Sequence, residues 1–262
     1  MARRTPALIR SLDILELFTD GRESVSAPEI VRELDLPRTS VHELLHTLSD
    51  RGYLRPHPDV PGRYQLGLQL FRLGSAYAEQ LDVAKLGQQV AQELVARCNE
   101  TAHVAVLEGD HVVYIAKVDS SRAVRMVSTL GGRVPAHCTA LGKALLSALS
   151  EGELRERLGD GPLPAMTPNS ITDVPRLLDE LAGIRESGIA VEVCESNPDV
   201  CCTAAPVRDR TGATVAGVSV SVPLHRWSER LRTDLGELVA EGADRLTAAL
   251  GGRSSHQGRA RT

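Results

Sequence analysis

The stretch Leu36-Pro37-Arg38-Thr39-Ser40-Val41-His42-Glu43-Leu44-Leu45-His46-Thr47-Leu48 constrains this chain more than any other. A proline fits the first turn of a helix and not its interior, so a helix starts here and none runs in from upstream. Val41, Leu44, Leu45 and Leu48 recur at i, i+3, i+4 and i+7 and make one apolar face. Arg38, Thr39, Ser40, His42 and His46 fall largely on the other sides. Hydroxyls and long donors near a helix N-terminus, on a face not needed for packing, suit a helix that enters a DNA major groove. Taken alone, the same face reads equally as a solvated surface.

The flanking segments separate these readings. Ala7 to Phe18 places Leu8, Leu12 and Leu15 on one helix face, with Ile14 and Phe18 beside it, and predicts a core helix. Ser26-Ala27-Pro28-Glu29 has the form of a capping box, a serine with a glutamate three positions on and a proline in the first turn. The short helix it opens buries Ile30, Val31 and Leu34. Asp35-Leu36-Pro37 then turns into the opening helix, giving a helix-turn-helix with the second helix as reader. Gly52-Tyr53-Leu54-Arg55 and Gly62-Arg63-Tyr64-Gln65-Leu66, joined by the turn-rich His57–Gly62, form a hairpin or wing. The candidate DNA contacts are Ser26, Arg38, Thr39, Ser40, His42, Glu43 and His46, with Arg55 and Arg63 meeting phosphates from the wing. Charge does not lead to this conclusion. Residues 1–75 hold 10 basic and 10 acidic side chains, whereas a nucleic-acid binder is ordinarily basic.

Residues 68–82 are expected to form a linker helix between a first domain at 5–67 and a second at 83–250. Val83 to Cys98 is a further helix. The pattern then turns to strands: Thr101–Leu107 with His111–Val118 as a hairpin, and Ala123–Leu130 as another strand. Cys138–Leu149 is a helix, and Asp173–Ser187 is another, capped by Thr172. Ile189–Cys194, Cys201–Val207 and Ala213–Val222 are strands, and Ser228 caps a last helix to about Leu250. Residues 251–262 are polar and expected to be disordered. The fold class is α+β, with helices flanking a mostly antiparallel sheet.

Three motifs coincide with one family. They are Leu36–His42 with Gly52-Tyr53-Leu54 and Gly62–Gly67, Gly131–Leu145, and Cys202–Asp209 running into Ser219–Pro223. In their order and spacing the chain resembles the IclR family of bacterial transcription regulators from about Leu8 to Leu250. The resemblance implies a winged helix-turn-helix, a linker helix and a C-terminal effector domain with a GAF-like fold. It implies a homodimer or dimer of dimers that binds double-stranded promoter DNA and responds to a small metabolite, often a carboxylate or aromatic acid. The positions matching the family's metabolite pocket are Ala140, Leu141, Glu192, Cys202, Ser219 and Ser221. Amide groups at the start of the Cys138–Leu149 helix would favour an anion. Ser219 and Ser221 lie on one face of a strand and offer paired hydroxyls. Those serines could equally bond a neighbouring strand, and Cys202 could be a small buried hydrophobe.

Two positions depart from the family. Glu43 stands where many members have arginine. A carboxylate there cannot hold phosphate, but it can accept from a cytosine amine or pair with Arg38 or Arg51. Glu192 stands where some members have aspartate, and a carboxylate beside an anionic ligand needs a protonated or hydroxylated partner.

The five cysteines suit neither a disulfide framework nor a metal site, and adjacent Cys201 and Cys202 face opposite ways on a strand. Lys143 sits one turn into its helix, and His137 is placed to cap it. Neither belongs to a nucleophile motif. No cofactor, metal or catalytic group is expected. No apolar run has the length of a membrane span or signal, so the protein is expected to be cytoplasmic. The leading reading is a metabolite-responsive regulator, a repressor sooner than an activator. The alternatives are a binding protein or enzyme with a vestigial N-terminal domain, and a constitutive repressor that senses nothing.

Overall fold

Val41, Leu45 and Leu48 close on Ile14, Phe18, Val25, Ala27, Ile30 and Leu54 to make the core of the first of two units, residues 1–80 and 81–262. The computed structural model describes residues 5–19, 21–79, 82–126, 128–159 and 161–253, with the backbone alone at 75–79 and 82. The first unit runs α1 (Pro6–Glu16), β1 (Val25–Ser26), α2 (Ala27–Leu34), α3 (Arg38–Asp50), β2 (Leu54–Pro56), β3 (Arg63–Leu66) and α4 (Leu68–Glu79). Asp35 takes a left-handed conformation (φ 50°) at the end of α2, which reverses the chain into α3. The wing is a three-stranded antiparallel sheet in the order β1-β3-β2, since Val25 and Ser26 pair with Tyr64 and Arg63. A two-residue strand carries no periodicity, so β1 has no signature in the sequence. Gly67 closes the wing: a Cβ there would lie 2.1 Å from the Gly52 carbonyl oxygen.

The face of α1 differs from the expected one. Ile14 and Phe18 are buried, but Leu8 is 59% and Leu12 49% exposed. Those leucines carry a helical period but stand about half exposed or more.

The second unit begins with α5 (Asp82–Cys98), β4 (Thr101–Glu108) and β5 (His111–Val118). It continues through β6 (Arg133–Pro135), α6 (Ala140–Leu146), α7 (Glu151–Leu158), α8 (Val174–Ser187) and β7 (Ala190–Val193). It ends with β8 (Val200–Arg208), β9 (Thr214–Pro223) and α9 (Glu229–Ala249). One six-stranded antiparallel sheet runs β6-β5-β4-β9-β8-β7. On one face α6, α7 and α8 supply Leu141, Leu145, Leu154, Leu177, Leu181 and Ile184. On the other, α5 and α9 supply Val90, Leu94, Leu235, Val239 and Leu246. Burying each such leucine contributes about 1.5–3 kcal/mol, so the sheet is held between two apolar layers.

Several expected boundaries move. Ala123–Leu130 is not a strand: the described residues there form a bend, irregular chain and a turn, and Val124 and Leu130 are more than half exposed. The chain meets β5 only from Gly131 onward, where Gly131 N donates to Tyr114 O and Gly132 O accepts from Tyr114 N. Asp173, not Thr172, caps α8, its carboxylate accepting from Arg176 N at 3.1 Å. The helix expected at 138–149 shrinks to Ala140–Leu146, because residues 136–138 form a tighter turn that Thr139 ends. Of the tail expected to be disordered, 254–262 lies outside the described residues.

Candidate DNA-reading surface and effector pocket

Helix α3 turns Val41, Leu45 and Leu48 inward and leaves Arg38, Thr39, His42, Glu43 and His46 exposed, with Ser40 half-buried. Five of these six lie in the first two turns, where a reader helix presents side chains to base edges. His46 Nδ1 sits 2.9 Å from Asp50 Oδ2 one turn on. Glu43 pairs with neither Arg38 nor Arg51 among the described residues, so its carboxylate is open to a donor outside the chain.

Two expected DNA contacts are committed elsewhere. The Glu29 carboxylate accepts from Ser26 N at 2.7 Å and from Ser26 Oγ at 2.9 Å. Arg63, paired across the sheet with Ser26, donates to Ser24 Oγ at 2.8 Å, Ser24 O at 2.7 Å and Glu29 Oε1 at 3.2 Å. Bonds from Ser26 first, then Arg63, hold the Glu29 carboxyl down at about 2. Ser26 and Arg63 therefore lock the wing to the start of α2. The sequence, which suggested Arg63 as a phosphate contact of the wing, carries no sign of the β1 pairing that aligns it with Ser26. Arg55, on β2, remains exposed.

In the second unit the six expected effector positions are all buried: Ala140, Leu141, Glu192, Cys202, Ser219 and Ser221 are each at most 8% exposed. The register sets Glu192 opposite Cys202, Cys202 opposite Ser221, and Ser219 opposite His103. Cys202 Sγ lies 3.1 Å from Ser221 Oγ. Leu141 presses onto Gly217, its Cδ2 only 2.9 Å from where a Cβ would stand. Ala140, Leu141 and Cys202 belong to one apolar cluster with Tyr114 and Ala136. These contacts bring the six residues to one region of the sheet.

Glu192 is the unusual group there. Its Oε2 accepts from Glu195 N at 2.8 Å and its Oε1 from Ser196 Oγ at 3.1 Å. Burial outweighs those bonds and pushes its carboxyl up to about 7. Burial likewise drives the Cys202 thiol well up, with Glu192 adding to the effect, so Cys202 is a thiol and not a nucleophilic thiolate.

One amide at the start of α6 is already bonded within the chain. Thr139 Oγ1 accepts from Gly142 N at 3.0 Å, so α6 caps itself at one of the amides expected to face a ligand. His137 is not the cap: its Nε2 lies 2.9 Å from Pro164 O.

Sequence reading also passed over Lys143's partners. The lysine is fully buried and pairs with Glu180 and, at 2.7 Å, with Glu195. No spacing joins residues 143, 180 and 195 in the sequence; only the fold does. Among the described residues no cluster of histidine, cysteine or carboxylate could hold a metal ion.

Comparison with known proteins finds matches for both units. The model described as "IclR helix-turn-helix domain" matches residues 7–58, and that described as "Bacterial transcriptional regulator IclR C-terminal" matches 75–248. The HTH-type transcriptional repressor AllR of Escherichia coli K12 is 33% identical over 245 residues, 94% of this chain and 90% of that protein. The Thermotoga maritima IclR crystal structure shares 30% identity with a TM-score of 0.76, covering 93% of this chain and 98% of that one. An IclR homologue from Microbacterium hydrocarbonoxydans, solved with 4-hydroxybenzoate, gives a TM-score of 0.80 at 26% identity over 93% of this chain and 98% of its own. With both of its units matched, the chain belongs to the IclR family of bacterial helix-turn-helix transcriptional regulators.

Proposed function

We propose that the chain is a promoter-binding repressor whose affinity for its operator changes when a small organic acid occupies the second unit. The observation that carries this reading is the division of α3. Its apolar side completes the core, while Arg38, Thr39, His42, Glu43 and His46 are exposed. Arg38 and Arg55 supply the phosphate contacts, and Ser40 adds a hydroxyl at the edge of the reading face. A repressor is favoured because the AllR relative is named as one. Reading promoter DNA puts its work in the bacterial cytoplasm. Among the described residues no helix is long and apolar enough to cross a membrane.

The effector occupies the region of Ala140, Leu141, Glu192, Cys202, Ser219 and Ser221. The ligand of the Microbacterium homologue, an aromatic acid, supports an acid of modest size. Glu192, its carboxyl pushed up to about 7, admits the acid in its protonated form. Binding and not turnover is assigned to this unit, because its buried lysine, Lys143, is consumed by two carboxylates. The domain division is 5–67 for DNA reading, 68–82 as linker helix and 83–250 for sensing, with the linker carrying the coupling.

Self-association is part of the reading. Leu8, Ile9 and Leu12 on α1, and Leu68, Phe71 and Leu73 on α4, are all more than 40% exposed. Large apolar side chains on two helices of one small unit suit contact with a second copy. A homodimer, or a dimer of dimers, would then read two half-sites. Selection of bound duplexes from a random pool by the purified chain tests the proposal. Enrichment of an inverted repeat is expected; an unenriched pool contradicts it.

A further inference from the structure

A second cavity lies at the edge of the sheet, and its lining includes none of the six effector positions. Strand β7 is the last strand and pairs only with β8. A groove of about 800 Å³ runs along its open edge, with α8 on one side and Trp227 and the start of α9 on the other. Val191, Val193 and Trp227 give the groove an apolar wall, and none of the three is fully buried.

The charged groups of the groove balance in number but do not all find partners. Lys143 is held by Glu180 and by Glu195 Oε1. Glu195 lines the groove and is 8% exposed, and its other oxygen, Oε2, is buried with no hydrogen-bond partner. A buried acceptor left without a donor is costly, and more so when it is charged. Arg176 stands one turn before Glu180 on α8, the spacing of an ion pair. Glu180 is turned to Lys143 instead, and the Arg176 guanidinium has no hydrogen bond or ion pair among the described residues. Burial raises the Glu195 carboxyl, and Arg176 is near enough to act against that rise. Arg232, from α9, is already paired with Glu229 at 3.1 Å. The groove thus holds one open cation and one open carboxylate oxygen beside an apolar wall. A plain acid would leave the carboxylate unmet, and a plain amine would leave the cation unmet.

We propose that this groove is a second ligand site, which takes a small zwitterionic amino acid with an apolar side chain. The ligand's ammonium donates to Glu195 Oε2 and to Glu180 beside it. Arg176 holds its carboxylate, and its side chain lies against Val191, Val193 and Trp227. The site does not depend on the effector reading given above, although Glu195 N, which donates to Glu192, joins the two regions.

Trp227 is the chain's only tryptophan, so its fluorescence reports on the groove. The purified chain is titrated with leucine and with phenylalanine. Each is set beside the matching acid that lacks the ammonium and the matching amine that lacks the carboxylate. The expected result is a saturable change in emission with at least one amino acid, and binding about tenfold or more weaker for its acid and its amine, as for the loss of a charged hydrogen bond. Arg176 is exposed, so Arg176→Gln keeps the fold. It should weaken the amino acid by a similar factor and leave the amine unchanged. Ser221→Ala should leave amino-acid binding as it is. Loss of binding in Ser221→Ala, with normal binding in Arg176→Gln, puts the amino acid among the effector positions and overturns this inference while the effector reading stands. An acid that binds as tightly as its amino acid also overturns it, because nothing then meets Glu195. Should neither amino acid change the emission or raise the melting temperature at millimolar concentration, the inference fails outright and the effector reading is untouched.

Discussion

Lys143 Nζ and Glu195 Oε1 lie 2.7 Å apart, and the lysine is completely buried. Glu195 N also donates to Glu192, so the pair borders the proposed effector pocket directly. Burial raises the Glu195 carboxyl more than Lys143 lowers it. Removing one partner of a buried pair leaves a bare charge and typically costs about 3–5 kcal/mol. Lys143→Met should therefore lower the melting temperature of the second unit strongly. Adding Glu195→Gln should restore part of the loss. A single mutant as stable as wild type in calorimetry would contradict the assignment.

The pH dependence of the second unit should contain two opposed contributions. Glu192 has its folded pKa raised to about 7 from 4.5. Its contribution is fully present below pH 4.5 and is lost as pH rises toward 7. His103 has its folded pKa lowered to about 4 from 6.5. Its contribution is present above pH 6.5 and is lost as pH falls toward 4. The two partly cancel in the wild type. Glu192→Gln should unmask the His103 slope, so that stability rises steadily between pH 4 and 6.5. An unchanged profile in urea melts across that range would count against the buried, protonated Glu192. Effector affinity should also fall as pH rises past 7, since Glu192, beside Cys202, Glu195 and Ser196, would then lose its proton.

Arg63 and Arg38 should behave differently when truncated. Arg63 is tied to Ser24 and Glu29, so Arg63→Ala should destabilise the DNA-reading unit and change the salt dependence of binding little. Arg38→Ala should leave the melting temperature nearly unchanged and reduce the slope of log affinity against log salt by about 1. Affinity titrations at four salt concentrations, paired with melting curves, separate the two roles. Swapped outcomes would mean that the wing arginine faces DNA.

Glu43 is exposed on α3, without a partner among the described residues. Glu43→Arg should change which base is preferred at one operator position, by about 1–3 kcal/mol of discrimination. Equal binding-site logos for both proteins would show that this carboxylate reads nothing.

Phe71 is 71% exposed on α4. Phe71→Glu should weaken self-association without lowering the stability of the single chain. Sedimentation analysis showing the same mass for both proteins would remove this residue from the interface.

The helix-turn-helix was legible because local rules wrote it: a capping box at Ser26 and Glu29, a proline at 37, and a 3.6-residue period through Leu48. The antiparallel sheet followed from runs of alternation and turns. What stayed hidden depended on partners distant in the chain. The tie of Arg63 to Ser24 and Glu29 left no trace in the sequence, because the strand that aligns them, Val25–Ser26, is two residues long. The Leu8–Leu12 stripe shares its period with a core helix, although its own unit leaves it uncovered. Of the pocket, Cys202, Ser219 and Ser221 were reachable through motif resemblance.

The most direct test of the account is fluorescence anisotropy of a labelled operator, selected by the chain itself, titrated with protein at fixed salt in the presence and absence of a saturating acid. The account predicts nanomolar binding of the operator, at least 1000-fold tighter than an unrelated duplex, roughly the usual range for specific sites. It also predicts a shift of about 5-fold or more on adding the acid, with the acid's own affinity shifted by the same factor when operator is bound. Operator and unrelated duplex bound alike, or an affinity indifferent to every acid that binds the protein, would contradict it.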